Sequence, residues 1–477
     1  MRKLNLIILS GILLVISVFL VLNFFALKNP AITGNIITEN VILDGENYKC
    51  PDCNVILISI DALRADHLGA YGYERDTSPN IDEFAKESIF FENAYSTTAW
   101  TFPSHFSIFT SRYPNENELL IYPNIRAFND SYTTLTEILK SEGYETVGFT
   151  GGGWVAGKLG FGQGFDKYST NRRNFEDNIK NLFNWTVEHD PNKKFFLFIH
   201  GYNCHRPYTP PDFLKKKFIK EIPKECEEVT FKDIEPQKFE CLKAENGIEY
   251  AISQYDSEIF YVDMIIKEIF DELKRNNLYD NSIIIITSDH GEELKDHGGM
   301  DHINTLYQEL IKVPLIIRLP NQKSKTINSK VTNLDLMPTL LEILSIEYNK
   351  EIIHGKSILP LLKTEKEPNI FTLTGRKPKN KEKFILLSVI NKNLKFIIGA
   401  EQDKPGVYEL YDLEKDPLEK NNLINDSEYE SIAISLEKDI ENWANKINLN
   451  LDLYKVEEKT ELDEETLEQL RALGYMN

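Results

Sequence analysis

A chain of 477 residues exceeds one ordinary core, so one large α/β domain with an appended smaller one, or two similar domains, are the arrangements to test. Hydrophobic residues at 42% and charged residues at 27% exclude wholesale disorder, collagen-like chains and disulfide scaffolds. With 54 basic against 74 acidic residues the net charge is −20, which excludes a broad nucleic-acid-binding surface and leaves room for a small, locally positive pocket.

The N-terminus departs from this average. Arg2 and Lys3 precede an almost wholly apolar run from Leu4 to Leu27. As a helix it would rise about 36 Å at ~1.5 Å per residue, enough for a hydrocarbon core of about 30 Å. The run closes in Phe24-Phe25-Ala26-Leu27-Lys28 without a clean small-residue cleavage site. The expectation is a cytoplasmic tail at 1–3 and an uncleaved signal anchor at 4–27. Residues 28–477 then face outside a cell membrane crossed once.

A polar stalk follows at 28–53. It ends in the pair Cys50 and Cys53, while Cys226 and Cys241 bracket a Lys/Glu-rich stretch and Cys204 is left over. Outside the cell, disulfides at 226–241 and 50–53 are expected, the first closing an insertion at about 214–241. No second C-x-x-C pair is present to complete a zinc site around Cys50 and Cys53.

From residue 54 the pattern becomes strand and helix in alternation. Asn54–Ile60, Thr146–Thr150, Phe195–His200 and Ser282–Thr287 are short apolar runs of the kind found in buried parallel strands. Helical patterns at Ile81–Glu87, Leu135–Glu142 and Glu258–Arg275 separate them. The predicted fold is a doubly wound α/β domain at 54–349. Beyond residue 350 the runs Phe384–Ile390, Leu394–Ile398 and Val407–Leu413 predict a small antiparallel sheet, closed by a helix near 427–446.

Reactive residues stand directly after the predicted strands. Asp61 follows the first, a glycine run starting at Gly151 follows the second, and Asp289 with His290 follows the last. Ligands in such folds bind beyond the carboxyl ends of the strands. Two carboxylates and an imidazole there suit a divalent cation. Thr101 opens a helix-compatible stretch containing Pro103, at an N-terminus that favours anions. A hydroxyl held there against a cation can become a nucleophile. Taken singly, Asp61 and Thr101 are equally ordinary as helix caps.

Further segments run in order along the chain. They are Asn54–Tyr73, Thr77–Asp82, the Thr101–Pro114 stretch, His205-Arg-Pro-Tyr, Tyr255–Asp263, Ser288–Glu293, His297-Gly, His302 through Tyr307, Asp335–Thr339, Leu410–Pro417 and Leu470–Tyr475. The whole set resembles the sulfatase branch of the alkaline phosphatase superfamily, from about residue 54 to the end. The resemblance implies an alkaline-phosphatase-like, mostly parallel sheet with helices on both faces, and a C-terminal subdomain with its tail at 350–477. It implies a hydrolase of sulfate or phosphate esters. Asp61, Asp289, His290 and Thr101 take the positions of metal ligands, with Thr101 also the nucleophile. His205 and His302 take catalytic positions facing the ester. His105 replaces an arginine of the family motif, and with His297 it is expected to contact substrate. His200, inside a strand, is expected to be structural.

Two departures refine this reading. Sulfatases convert a Cys or Ser at the nucleophile position to formylglycine, which Thr101 cannot form. Related enzymes with threonine there are phosphodiesterases or phosphoglycol and phosphoethanolamine transferases, so transfer to an acceptor is an alternative. Ala62 stands where many sulfatases place another metal-binding Asp, which implies one divalent ion, Ca, Mn, Mg or Zn. Loss of the family's Cys and Arg also allows a catalytically silent binding protein, against which the retained Asp61, Asp289, His290, His205 and His302 argue. The expected partner is an anionic ester, carried on a polysaccharide or a lipid, and not nucleic acid.

Overall fold

The computed structural model describes residues 48–114, 117–123, 126–170, 174–227, 240–364, 367–376, 384–401, 407–449, 465–466 and 468–469. Tyr48–Asn477 forms one compact unit, and Met1–Asn47 is a separate unit outside the described residues. The expected anchor at 4–27 and most of the stalk therefore lie outside them. Among the described residues no helix is long and apolar enough to cross a membrane. The expected single-pass placement, with an outward-facing catalytic domain, is corrected accordingly. The end of the expected stalk packs on the body: Cys53 is buried and the Cys50 N–H donates to Ile343 O at 2.7 Å.

In chain order the central sheet takes β1 (Asn54–Ile60), β2 (Ile89–Tyr95), β3 (Glu145–Thr150), β4 (Lys167–Thr170), β5 (Phe195–Gly201), β6 (Ser282–Thr287), β7 (Lys312–Arg318), β8 (Lys325–Ile327) and β9 (Val331–Thr332). Its order is β8-β2-β7-β6-β1-β5-β3-β4, with β9 also beside β2. All pairings are parallel except those made by β7, which runs against β2 and β6. β1 lies between β5 and β6 and every residue of it is buried. That burial on both faces is why it reads as an unbroken apolar run.

Alternate residues of β1 feed opposite layers. Val55 and Leu57 join a core with α2 (Thr101–Thr110), α3 (Leu135–Ser141) and α6 (Leu336–Ile343). Ile56, Ile58 and Ile60 join one with α1 (Pro79–Lys86), α4 (Phe175–Glu188) and α5 (Gly247–Arg275). The fold is thus α/β, with helices on both faces of a mostly parallel sheet.

A second, mainly antiparallel sheet is built from β10 (Ile370–Arg376), β11 (Phe384–Asn391), β12 (Leu394–Glu401) and β13 (Val407–Asp412). One face packs through Leu373, Val389 and Phe396 on α7 (Glu430–Lys446), with Leu436 and Trp443. The other meets Tyr95, Leu306 and Leu310 of the main body. Its edge strand β10 also pairs in parallel with Ile121–Tyr122, tying the C-terminal part to an early segment. Disulfides join Cys50 to Cys53 and Cys226 to Cys241, and Cys204 is free and buried.

Candidate active site

Asp61 follows β1 directly, and its N–H donates to Gly201 O at 3.1 Å, extending the β1–β5 ladder by one residue. Ala62 then turns in the left-handed region at φ 57°, an uncommon conformation for a residue with a Cβ. The turn aims its N–H at Asp289 Oδ1, 3.2 Å away. Beyond β6, Ser288 Oγ donates to His290 O at 2.6 Å and accepts from Leu63 N at 3.0 Å. Because β1 and β6 are parallel neighbours, their terminal carboxylates meet at one point on the sheet edge.

Helix α2 brings the hydroxyl to that point. All its residues are buried, and Trp100 at its N-cap offers no side-chain acceptor to the first-turn amides. The helix is fixed by internal polar contacts: Ser104 Oγ donates to Asp289 O at 2.7 Å, and Asn333 Nδ2 donates to Ser104 Oγ at 2.8 Å. Thr101 Oγ1 donates to Asp61 Oδ2 at 3.2 Å and lies 3.2 Å from His290 Nε2.

Asp61, Asp289 and His290 are fully buried, with ligand atoms all within 4.8 Å of one another. Asp61 Oδ1 and Asp289 Oδ2 have no hydrogen-bond partner. Two buried, unpartnered carboxylate oxygens are costly unless a cation joins them. Burial first, and the neighbouring Asp289 second, push the Asp61 carboxyl well above its ordinary range. Burial opposes ionisation of Asp289, but His290, His105 and His200 hold its pKa below the usual value. His290 is pushed down to about 4, chiefly by burial. Its Nδ1–H donates to Gly291 O at 2.7 Å, which turns the Nε2 lone pair toward the carboxylates. The three residues therefore fit a divalent metal ion, with Thr101 beside it.

His205 and His302 join this edge. The ring of His302 lies 4.4 Å from that of His290 and 4.9 Å from that of His205. His205 Nδ1–H donates to Arg206 O, fixing its ring. His302 Nδ1 faces Asp301 Oδ1 at 3.0 Å and Glu292 Oε1 at 3.3 Å. Burial opposes its protonation, yet these two carboxylates raise its pKa above the ordinary histidine value. Glu292, Asp301 and His302 also have metal-ligand spacing, but Arg206 Nη2 lies 2.6 Å from Asp301 Oδ2 and supplies the countercharge.

The two expected substrate contacts, His105 and His297, are each held by protein partners, and His105 Nδ1 also lies 3.5 Å from Asp289 Oδ2. His105 sits one helical turn beyond Thr101 against the sheet, with Nδ1 3.0 Å from Thr101 O and Nε2 3.0 Å from Ser59 Oγ. It braces the helix that presents Thr101. His297 stacks on Tyr307 at 3.6 Å between ring centroids, with Nδ1 on Glu309 at 2.6 Å and Nε2 3.0 Å from Glu419 O. Those partners tie the loop before His302 to the C-terminal part. His200, read as structural, in fact borders the carboxylates, its Nε2 3.4 Å from Asp61 Oδ2. Sequence reasoning also missed Glu292, Asp301 and Arg206. Glu292 directly follows the Asp289-His290-Gly291 segment, but nothing in the spacing paired it with His302.

A match to the Sulfatase family spans residues 53–346. The chain belongs to the sulfatase family. A second family match, to the C-terminal part of N-sulphoglucosamine sulphohydrolase, spans residues 296–446. Sulfatase relatives include an ulvan-active sulfatase of Formosa agariphila, 26% identical, with 85% of this chain and 82% of that protein covered. An arylsulfatase of Clostridium perfringens is also 26% identical, with coverages of 79% and 91%. Among solved structures, a protein in complex with its substrate D-glucosamine-2-N,6-O-disulfate shares the fold at a TM-score of 0.69 and 22% identity, covering 84% of this chain and 99% of that one. The phosphonate monoester hydrolase of Agrobacterium radiobacter shares it at 0.66 and 16% identity, with 83% and 96% covered. As a sulfatase-family member the chain is a hydrolase of ester bonds.

Proposed function

We propose that this protein is a metal-dependent hydrolase of sulfate or phosphate esters carried on a glycan or other polymer, with unmodified Thr101 as its nucleophile. The observation that carries the reading is the Thr101 hydroxyl, at the N-terminus of α2 and 3.2 Å from both Asp61 and His290. The names of the sulfatase relatives, acting on ulvan and on N-acetylglucosamine 6-O-sulfate, support a glycan-linked ester. Residues 54–349 carry the reacting groups, and the C-terminal sheet packs against the domain that holds them.

Asp61, Asp289, His290 and Thr101 would hold the ion. It would lower the pKa of the hydroxyl and stabilise charge on the ester oxygens. The chain's own groups do the rest. The first-turn amides of α2 receive the anionic ester. Thr101 Oγ1 bonds to the sulfur or phosphorus while its proton leaves along the hydrogen bond to Asp61. The bond to the ester oxygen breaks, and that oxygen takes a proton from His205 or His302. Water attacks the same central atom and returns a proton to that imidazole, the bond to Oγ1 breaks, and Oγ1 recovers its proton from Asp61.

Threonine carries one hydroxyl where a formylglycine hydrate carries two, so product release needs displacement at the central atom. That favours a phosphate ester, and an acceptor alcohol could replace water in the last step. The test uses purified protein with Ca, Mn, Mg or Zn on matched aryl sulfate, phosphomonoester and phosphodiester substrates, beside Thr101→Ala. Metal-dependent turnover lost in the variant is the expected result. Equal turnover by Thr101→Ala would remove Thr101 from the chemistry.

A further inference from the structure

A second chemical feature lies apart from Thr101. A cavity of about 570 Å³ opens between the main sheet and the C-terminal sheet, and none of Asp61, Thr101, His205, Asp289, His290 or His302 lines it. Its walls come from the segment after β1, the ends of β2 and β7, the residue before β9, the β11–β12 turn and the stretch after β13. Distant parts of the chain thus meet at one hollow, and most of them bring a charged side chain to it.

The charges do not cancel. The cations are Arg64, Lys312, Lys330, Lys392 and Lys420. The anions are Asp66, Asp296, Glu309 and Glu414. Each anion already has a partner: Asp66 and Asp296 each lie 2.7 Å from Arg64, Glu309 lies 2.6 Å from His297, and Glu414 accepts from Asn393 Nδ2 at 2.7 Å. Lys420 is committed to the Asp296 carbonyl.

Lys312, Lys330 and Lys392 remain, with no hydrogen bond or ion pair among the described residues. Lys330 is only 8% exposed, and Lys312 is held in the cavity wall at the start of β7. Neither the Lys312 nor the Lys330 ammonium is among the buried polar atoms without a partner, so both reach the hollow, and Asp66 and Glu92 act on Lys312 only at longer range than an ion pair. Three uncommitted ammonium groups around one hollow form a receptor for an oxyanion.

We propose that this cavity is a second anion-binding site, taking a sulfate or phosphate group through Lys312 and Lys330 with Lys392 at its mouth. The group is either pendant on a polymer or free in solution. The site does not depend on the role given to Thr101. For a polymeric substrate it would hold a charged unit other than the one being cleaved, improving binding of long chains without altering the reaction.

The test is calorimetric titration of the full chain with three ligands: a dextran sulfate oligosaccharide, unsulfated dextran of the same length, and inorganic sulfate. The wild type should bind the sulfated oligosaccharide and not the neutral one. Lys312→Gln with Lys330→Gln should weaken that binding about tenfold, while kcat and KM for a small aryl ester stay within about twofold. Lys330→Arg should keep the affinity, because the charge rather than the exact shape is required. Competition by inorganic sulfate at these residues identifies a site open to the free ion; its absence, with the oligosaccharide bound, identifies a site for the pendant group. Equal affinity of wild type and double variant would overturn the proposal, as would equal binding of neutral dextran or loss of affinity in Lys330→Arg. Failure of the aryl ester assay in the wild type would instead count against the reading of Thr101 and leave the titration interpretable.

Discussion

Thr101 and Asp61 are forty residues apart, yet the Thr101 hydroxyl donates to Asp61 Oδ2 at 3.2 Å, with both side chains buried. One residue ends the central strand of a parallel sheet, and the other starts a helix packed on its face. The contact exists because β1 stops at Asp61 and α2 is pinned to Asp289 O by Ser104. Neither residue is distinctive alone, and their contact is what the proposed nucleophilic role of Thr101 rests on.

Asp61 and Asp289 are like charges sharing a buried point, so without metal they should destabilise the fold. Asp61→Asn is expected to raise metal-free stability by about 1–3 kcal/mol and to abolish the stabilisation that a divalent ion gives the wild type. Thermal melts with chelator and with added metal check both parts. A variant whose melting temperature still rises with metal would take Asp61 out of the ligand set.

Glu292 and Asp301 flank His302 Nδ1 at 3.3 and 3.0 Å, and under the proposed mechanism they orient its ring rather than touch the ester. Glu292→Gln and Asp301→Asn should each lower kcat about 10- to 100-fold with little change in KM. The loss should be larger for esters with poor leaving groups, which need the proton most. Steady-state kinetics on a series of substituted aryl esters reads this directly, and a loss independent of the leaving group would mean a purely structural role.

Much of the fold was legible because it follows from burial pattern. β1 and β6 appear in the sequence as the runs 54–60 and 282–287, since strands buried on both faces carry apolar residues throughout. β2 and β7 were not legible. Glu92 and Asn93 interrupt the first, and Pro314 interrupts the second, where the β2–β7 register also shifts between Val313 and Leu315. Nor was the pairing of β10 with Ile121–Tyr122, because contacts so far apart leave no local pattern. In the site, Asp61, Thr101, Asp289 and His290 were legible from their places at element ends. His297 was expected at the substrate, and its Gly-flanked motif position gave no sign of the Glu309 and Tyr307 contacts that hold it. His200 was hidden inside a strand, where only the register beside Ser59 shows that it reaches Asp61.

His354 offers a stability switch apart from the site. Its Nδ1 accepts from Tyr113 N at 3.0 Å, and burial, with Arg112 and Lys446 nearby, lowers its pKa from 6.5 to about 4. The unfolded chain therefore binds a proton that the folded chain refuses between those values. The stabilisation is present above pH 6.5 and is lost as pH falls toward 4. Urea unfolding of wild type and His354→Asn should show the wild-type advantage shrinking by about 1–2 kcal/mol between roughly pH 7 and pH 5. An advantage that is constant with pH would contradict this assignment.

The central claim is that Thr101 itself bonds to the group being transferred. The most direct measurement is rapid quenching of the metal-loaded enzyme during turnover, followed by peptide mass mapping of the Phe90–Arg112 region. The account predicts a phosphoryl or sulfuryl adduct on Thr101 that forms and decays at rates compatible with kcat, and no formylglycine at any position. An unmodified Thr101 throughout turnover, or an adduct on another residue, would contradict it.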